Sequence, residues 1–318
     1  MAKVEEGKKR MATLVGCNYS HTKNELRGCI NDVLAMKDLL VGRFRFDPAD
    51  IVVLTDEPGS ALLPTGSNIR AELGRMVDRA APGDVLFFHY SGHGTLIPAS
   101  KPHRSRRRRR REEAIVPCDF NLITDVDFRE LVDRLPGGAL FTMVSDSCHS
   151  GGLIDKEKQQ IGPCSTFPVS SSARWLPKLI PFDSVLQHLT SLSGISSPHV
   201  GDHLCAVFGA DISRMFVSGG KIRRIPEAAA DDDAVLLSGC QADETSADIS
   251  PEEAEGKKAY GAFSHALQVA VGEAEKSTVM SNRKLVVRAR DLLREQGFEQ
   301  HPCLYCSDGN ADAAFLWV

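Results

Sequence analysis

Along the first half of the chain, short apolar runs alternate with longer stretches whose apolar residues recur every three or four positions. RMATLVGCNY (10–19) reads as a short buried strand running into a turn. GCINDVLAMKDLLVGRF (28–44) reads as a helix, because Ile30, Val33, Leu34, Leu40 and Val41 keep helical spacing with polar Lys37 and Asp38 between them. DIVVLTD (50–56) is a second strand, and SNIRAELGRMVDRA (67–80) a second helix with Ser67 or Asn68 as its N-cap. DVLFFHY (84–90) is apolar at successive positions, as in a sheet covered on both faces. AIVPCD (114–119) is short and extended, Asp125 to Leu135 makes a further helix, and ALFTMVSDS (139–147) is a fourth buried strand. Strands alternating with helices predict an α/β fold whose central strands run parallel.

The alternation then fails. Residues 155–230 are polar and rich in Ser and Pro, with some helical character returning at PFDSVLQHLTSL, and EAAADDD (227–233) is an acidic spacer. A buried strand resumes at AVLLSGCQ (234–241), followed by helical segments at 259–272 and 283–296. The division is therefore a large unit (1–154), an irregular linker (155–233) and a small unit (234–318) that completes the same sheet.

Composition changes this picture little. The 318 residues are 42% hydrophobic and 25% charged, ordinary for a soluble globular protein with a large core. No apolar run reaches the roughly 18 residues a membrane helix needs. MAKVEEGKKR has no apolar core, so a secretory leader is not expected, and the nine cysteines are read as reduced thiols in cytosol or nucleus. The charge is uneven. Arg104 and the unbroken run Arg106–Arg111 contribute seven positive charges to a net of −4, and without them the chain would stand at −11.

Two strand ends carry the chemistry. FFHYSGHG (87–94) runs from a strand through Ser-Gly to His93 between two glycines, and SDSCHSGG (145–152) runs from a strand to Cys148. Reactive groups in open α/β sheets sit at such ends, and a Cys with a His from a neighbouring strand is the arrangement of a thiolate nucleophile and its proton acceptor. A cysteine at a strand end is ordinarily a buried filler, so the weight lies on the two glycine-flanked segments together. His89, inside its strand, reads as a satisfied core histidine. His149 points away from its neighbour Cys148 and is a poor base. The backbone N–H groups of Gly94 and Cys148 are the natural donors to an oxyanion, each worth roughly 3–4 kcal/mol in a transition state. Asp146, two residues before Cys148, shares the nucleophile's face of the strand. Asp32 lies in the first turns of a helix, where it could simply complement the helix dipole; Cys29 shares its face.

HYSGHGT and SDSCHSGGLIDKEKQQIGP, with GCINDV and SGCQADETSAD, resemble plant type II metacaspases over most of the chain. That resemblance implies a caspase-like fold: a mostly parallel central sheet flanked by helices and built by a large and a small unit. It implies a cysteine endopeptidase cutting after Arg or Lys through a thioester, with Cys148 as nucleophile, His93 as base in a dyad without an evident third member, and Asp32 and Asp146 lining the pocket for the basic side chain. It also implies a zymogen that cuts itself between its units, at Lys178–Leu179 in WLPKLIPF, with Arg174 the second candidate. Protein substrates bearing Arg or Lys, inhibitor proteins, a monomeric state and a role in cell death or stress proteolysis follow from the same resemblance.

The arginine block falls in the loop that is rich in Asp and Glu in calcium-dependent metacaspases. Arginine offers no acceptor to a cation, and only Glu112 and Glu113 follow it. No calcium requirement is therefore expected, and the chain resembles the calcium-independent, metacaspase-9-like subgroup. The block could also be a solvated loop, a self-substrate or an RNA contact; in the last case the chain would be an inactive caspase-like scaffold. Nucleic-acid and membrane binding are not expected. His301, Cys303 and Cys306 amount to half a zinc site, with no second cysteine pair to complete it.

Overall fold

The structure is a computed structural model, and it describes residues 8–98, 112–154, 158–162, 175–217, 234–241, 244–252, 258–274 and 279–316. The arginine block and Arg174 lie outside these residues. From the N-terminus, β1 (Arg10–Gly16), α1 (Cys29–Phe44), β2 (Ile51–Thr55), α2 (Gly66–Asp78) and β3 (Val85–Ser91) alternate. A small antiparallel set follows: β4 (Gly94–Ile97), β5 (Glu112–Ile115) and β6 (Ile123–Thr124), then α3 (Asp125–Val132) and β7 (Leu140–Asp146). Next come β8 (Gln159–Ile161), β9 (Trp175–Pro177), α4 (Phe182–Ser193), α5 (Val200–Phe208) and α6 (Arg214–Val217). The C-terminal part holds β10 (Ala234–Ser238), β11 (Ala247–Ile249), β12 (Tyr260–Gly261), α7 (Ala262–Glu273), α8 (Asn282–Glu295), β13 (Cys303–Cys306) and α9 (Asp308–Asp312).

Among the described residues, seven strands form the central sheet in the order β2-β1-β3-β7-β10-β13-β8. Pairings from β2 through β10 are parallel, and β13 and β8 add antiparallel edges. The unbroken apolar runs are explained by cover on both faces. On one side Leu14, Phe87 and Leu237 pack with α1, α7 and α8 through Val33, Leu40, Phe263 and Leu285. On the other, Met11, Phe88, Phe141 and Leu236 pack with Leu73 and Phe128 of α2 and α3. Among the described residues no helix is long and apolar enough to cross a membrane.

Two features depart from the sequence expectations, and a third stretch takes a structure the sequence left open. The N-cap of α2 is Thr65, whose hydroxyl accepts from the Asn68 N–H at 3.2 Å; neither Ser67 nor Asn68 is the cap. The stretch expected to be irregular contains α4, where PFDSVLQHLTSL already shows helical character, and also α5 and α6, which are not expected from the sequence. Val185, Leu189, Val200, Leu204 and Met215 recur at helical spacing there and close a third apolar cluster beneath β4 and β5, so their burial overrides the Ser- and Pro-rich surroundings. HPCLYC is largely strand. Cys303 and Cys306 are buried in β13, and His301 Nδ1 pairs with Glu244 at 2.6 Å. Among the described residues no group of three or more His, Cys, Asp or Glu side chains could hold a metal ion.

Candidate active site

The register of β3 against β7 builds the site. Ser91 pairs with Asp146 at the C-terminal ends of these parallel strands, so the chain beyond each end, carrying His93 and Cys148, enters one cleft. The approach is so close that a Cβ on Gly94 would lie 1.9 Å from the carbonyl oxygen of Cys148. Only glycine fits. His149, just past the cysteine, takes a left-handed φ of 55°, turning the chain away from the strand.

His93 is buried, 3% exposed. Its Nε2 lies 2.8 Å from the backbone carbonyl of Asn24, which can only accept, so Nε2 carries the proton in the neutral ring and Nδ1 is left as a bare acceptor. Nδ1 is buried without a hydrogen-bond partner. Tyr19 packs on the ring, with centroids 4.7 Å apart, and its hydroxyl accepts from the His93 N–H at 3.1 Å. Burial lowers the His93 pKa to about 4, against the steadying carbonyl of Asn24 and with help from the Lys178 ammonium. The orienting group that the sequence did not reveal is thus a main-chain carbonyl 69 residues upstream. The Cys148 thiol is turned onto Ser246, whose N–H donates to Sγ at 3.1 Å; no hydrogen bond joins it to Nδ1 of His93.

Beside them lies an acidic pocket, and it is full. Lys178 is completely buried. The three protons of its ammonium have three acceptors: Asp146 Oδ2 at 3.0 Å, Ser91 Oγ at 2.9 Å and Asp32 Oδ2 at 3.4 Å. The carboxylates are held in turn. Asp146 accepts from Ser246 Oγ at 2.6 Å and the Ser264 N–H at 2.9 Å. Asp32 accepts from Ser91 Oγ at 2.7 Å and the Gly261 N–H at 2.9 Å. Burial raises Asp32 to about 7, opposed by Lys178 and reinforced by Asp146. For Asp146 burial acts upward too, but the Lys178 ammonium and the bonds from Ser246 and Ser264 outweigh it and hold the carboxyl below its ordinary value. A Cβ on Gly261 would come within 2.1 Å of Lys178 Nζ and 2.3 Å of Asp146 Oδ2. Ser91, Ser246, Ser264 and Gly261 were not singled out from sequence, although the first two stand inside the motifs quoted above. Cys29 is buried at the pocket's edge. Burial, with Asp248 and Asp32 nearby, raises its thiol well above the usual range despite the opposing Lys178 ammonium. His89 is only half satisfied. Its Nε2 meets Ser264 Oγ at 3.0 Å, Nδ1 has no partner, and burial takes the ring to about 3.

The backbone of Lys178 is held as firmly as its side chain. Its carbonyl oxygen accepts from the Gly94 N–H at 3.0 Å and the Cys148 N–H at 3.2 Å, and its own N–H donates to the Ser246 carbonyl at 2.9 Å. On the N-terminal side β9 pairs antiparallel with β11, Pro177 facing Ala247. On the C-terminal side Leu179 bridges to Gly94 in parallel, and the Ile180 N–H donates to the Gly94 carbonyl at 3.1 Å. Residues 175–180 therefore lie across the cleft as an extended peptide, with one carbonyl aimed at two converging N–H groups beside a thiol.

A sheet of this order with cysteine and histidine at neighbouring strand ends defines a class, and comparison with known proteins agrees. The caspase-domain family matches residues 9–313, and the chain belongs to that family, among the metacaspases. It is 55% identical to metacaspase-9 of Arabidopsis thaliana, over 97% of both chains. It is 37% identical to metacaspase-6 of the same plant, over 96% of this chain and 99% of that one. Among solved structures, protein GSU0716 from Geobacter sulfurreducens superposes with a TM-score of 0.60 at 17% identity, covering 98% of this chain and 99% of that one; this likeness concerns the fold.

Proposed function

We propose that this caspase-family cysteine peptidase is an endopeptidase that cuts after Lys or Arg, and that its first substrate is its own Lys178–Leu179 bond. The observation that carries the reading is the double capture of Lys178: a side chain with no exposed surface on paired carboxylates, and a carbonyl oxygen on the N–H groups of Gly94 and Cys148. Those donors sit where a tetrahedral oxyanion would need them. His93 Nδ1 takes the thiol proton once the Cys148 side chain rotates from Ser246. The resulting imidazolium is steadied by the carbonyl of Asn24 at Nε2. Cys148 Sγ attacks the Lys178 carbonyl carbon, the proton passes to the Leu179 nitrogen, and the thioester is hydrolysed by water. Until the cut, Lys178 excludes other basic side chains from the pocket, so the uncut chain is a zymogen.

Selectivity follows from the pocket. A substrate lacking a cation would leave Asp146 and Asp32 buried and unpaired, which is costly, whereas a guanidinium can engage both at once. No calcium requirement is proposed; Glu113, in β5 just after the arginine block, is already committed to the Gly152 N–H at 2.5 Å. The test is cleavage of a fluorogenic peptide ending in Arg against one ending in Asp by the self-cut protein, with Cys148→Ala as blank. Turnover of the Arg peptide alone supports the reading; equal turnover of both, or activity in Cys148→Ala, rejects it.

A further inference from the structure

The two sides of the Lys178–Leu179 bond are anchored very differently. On the acyl side, Trp175 and Leu176 are 36% and 41% exposed, and β9 is held by its short ladder to β11 and by the Lys178 side chain. On the amine side, Ile180 is fully buried in the apolar cluster with Ile97, Val116, Val185 and Leu189, and Phe182 begins α4, which belongs to that cluster. Breaking the bond frees neither Ile180 nor α4. The new amine of Leu179 therefore stays beside Cys148 while the thioester is still there.

From this anchoring we propose a second activity: the chain is a peptide ligase whose acceptor is its own Leu179 amine. The inference rests on the self-cutting reading above. In the forward step the Cys148 Sγ–C bond forms, the C–N bond to Leu179 breaks, and the thiol proton travels through His93 to the Leu179 nitrogen. In the ligating step the neutral amine attacks the thioester carbonyl, the N–C bond forms and the S–C bond breaks. The amine proton then returns through His93 to Sγ. Gly94 and Cys148 N–H groups hold the oxyanion in both directions, and no co-reactant is needed. Water is the competitor, but well-oriented intramolecular nucleophiles reach effective concentrations on the order of 10⁵ M or more. The amine reacts only when neutral, with an ordinary α-amino pKa of about 8. Hydrolysis is thus favoured in acid, and ligation gains as pH rises.

The self-cut protein, with both fragments present, is given acetyl-Trp-Leu-Pro-Lys methyl ester, which copies residues 175–178. Samples are acid-quenched within the first turnovers and read by intact mass and N-terminal mapping. The expected result is a 179–318 fragment carrying the acyl peptide on Leu179. The ratio of adduct to hydrolysed ester should rise roughly tenfold or more from pH 6 to pH 8, as the amine deprotonates. Ile180→Ala, a milder change than a charge in that core, should lower the ratio. Ester hydrolysis with no adduct at any pH overturns the ligase and leaves the protease reading intact. A chain that is purified uncut and does not hydrolyse the ester overturns the protease reading, and the ligase falls with it.

Discussion

Asp146 and Asp32 meet the same ammonium, at 3.0 and 3.4 Å, but do not share its charge equally. Asp146 is held ionised by three partners, whereas Asp32 sits near pKa 7 and is only partly charged around neutrality. Asp146→Asn is therefore expected to lower kcat/KM for an Arg peptide by roughly 30-fold to a few thousand-fold, the effect of losing one partner of a desolvated pair (about 2–5 kcal/mol). Asp32→Asn should cost less, on the order of tenfold; steady-state kinetics on the two variants ranks them. His93 sets a second expectation. The base must be neutral, and burial keeps it so down to about pH 4. Self-cutting should slow by up to about tenfold as pH falls through 7 and Asp32 takes its proton, and collapse only near pH 4 as His93 does. In Asp32→Asn the first step should vanish and the limb near 4 remain; complete loss of self-cutting by about pH 6 in that variant would mean the His93 ring is not buried as described.

At the scale of elements, the pocket depends on β12 delivering a residue without a side chain. Gly261→Ala is expected to slow self-cutting at least tenfold, because its Cβ meets Lys178, Asp146 and Asp32 together and paired buried groups must separate. Thermal denaturation should stay cooperative, and a variant that cuts at the parent rate would contradict the geometry. The arginine block between β4 and β5 in the sequence gives another check: self-cutting should proceed equally in calcium and in chelator. What was legible in the sequence follows the same scale. β1, β3, β7 and β10 announce themselves by burial on both faces, and α1 and α8 by apolar spacing. β9 and β12 are too short for any periodicity, and β13 hides behind a metal-like spelling. Cys148 and His93 stand out because glycines flank them. Asn24 acts through a carbonyl, which side-chain chemistry cannot reveal, and Gly261 and Ser264 reach the pocket from more than a hundred residues past Asp146.

At the scale of the whole molecule, a cut after Lys178 would leave one sheet built from both fragments. β10 and β13 come from the C-terminal fragment yet lie between β7 and β8 of the N-terminal one. Their apolar residues fill the cores on both faces. Residues 1–178 and 179–318 should therefore co-elute as one species after self-cutting under native conditions; separate elution would contradict the shared sheet.

The central claim is that Cys148 cuts the chain after Lys178. N-terminal sequencing of the small fragment from freshly purified protein, beside Cys148→Ala, tests it most directly. The account requires a fragment beginning Leu-Ile-Pro-Phe in the parent and an uncut chain in the variant. A fragment beginning elsewhere, or the same fragment from Cys148→Ala, would contradict it.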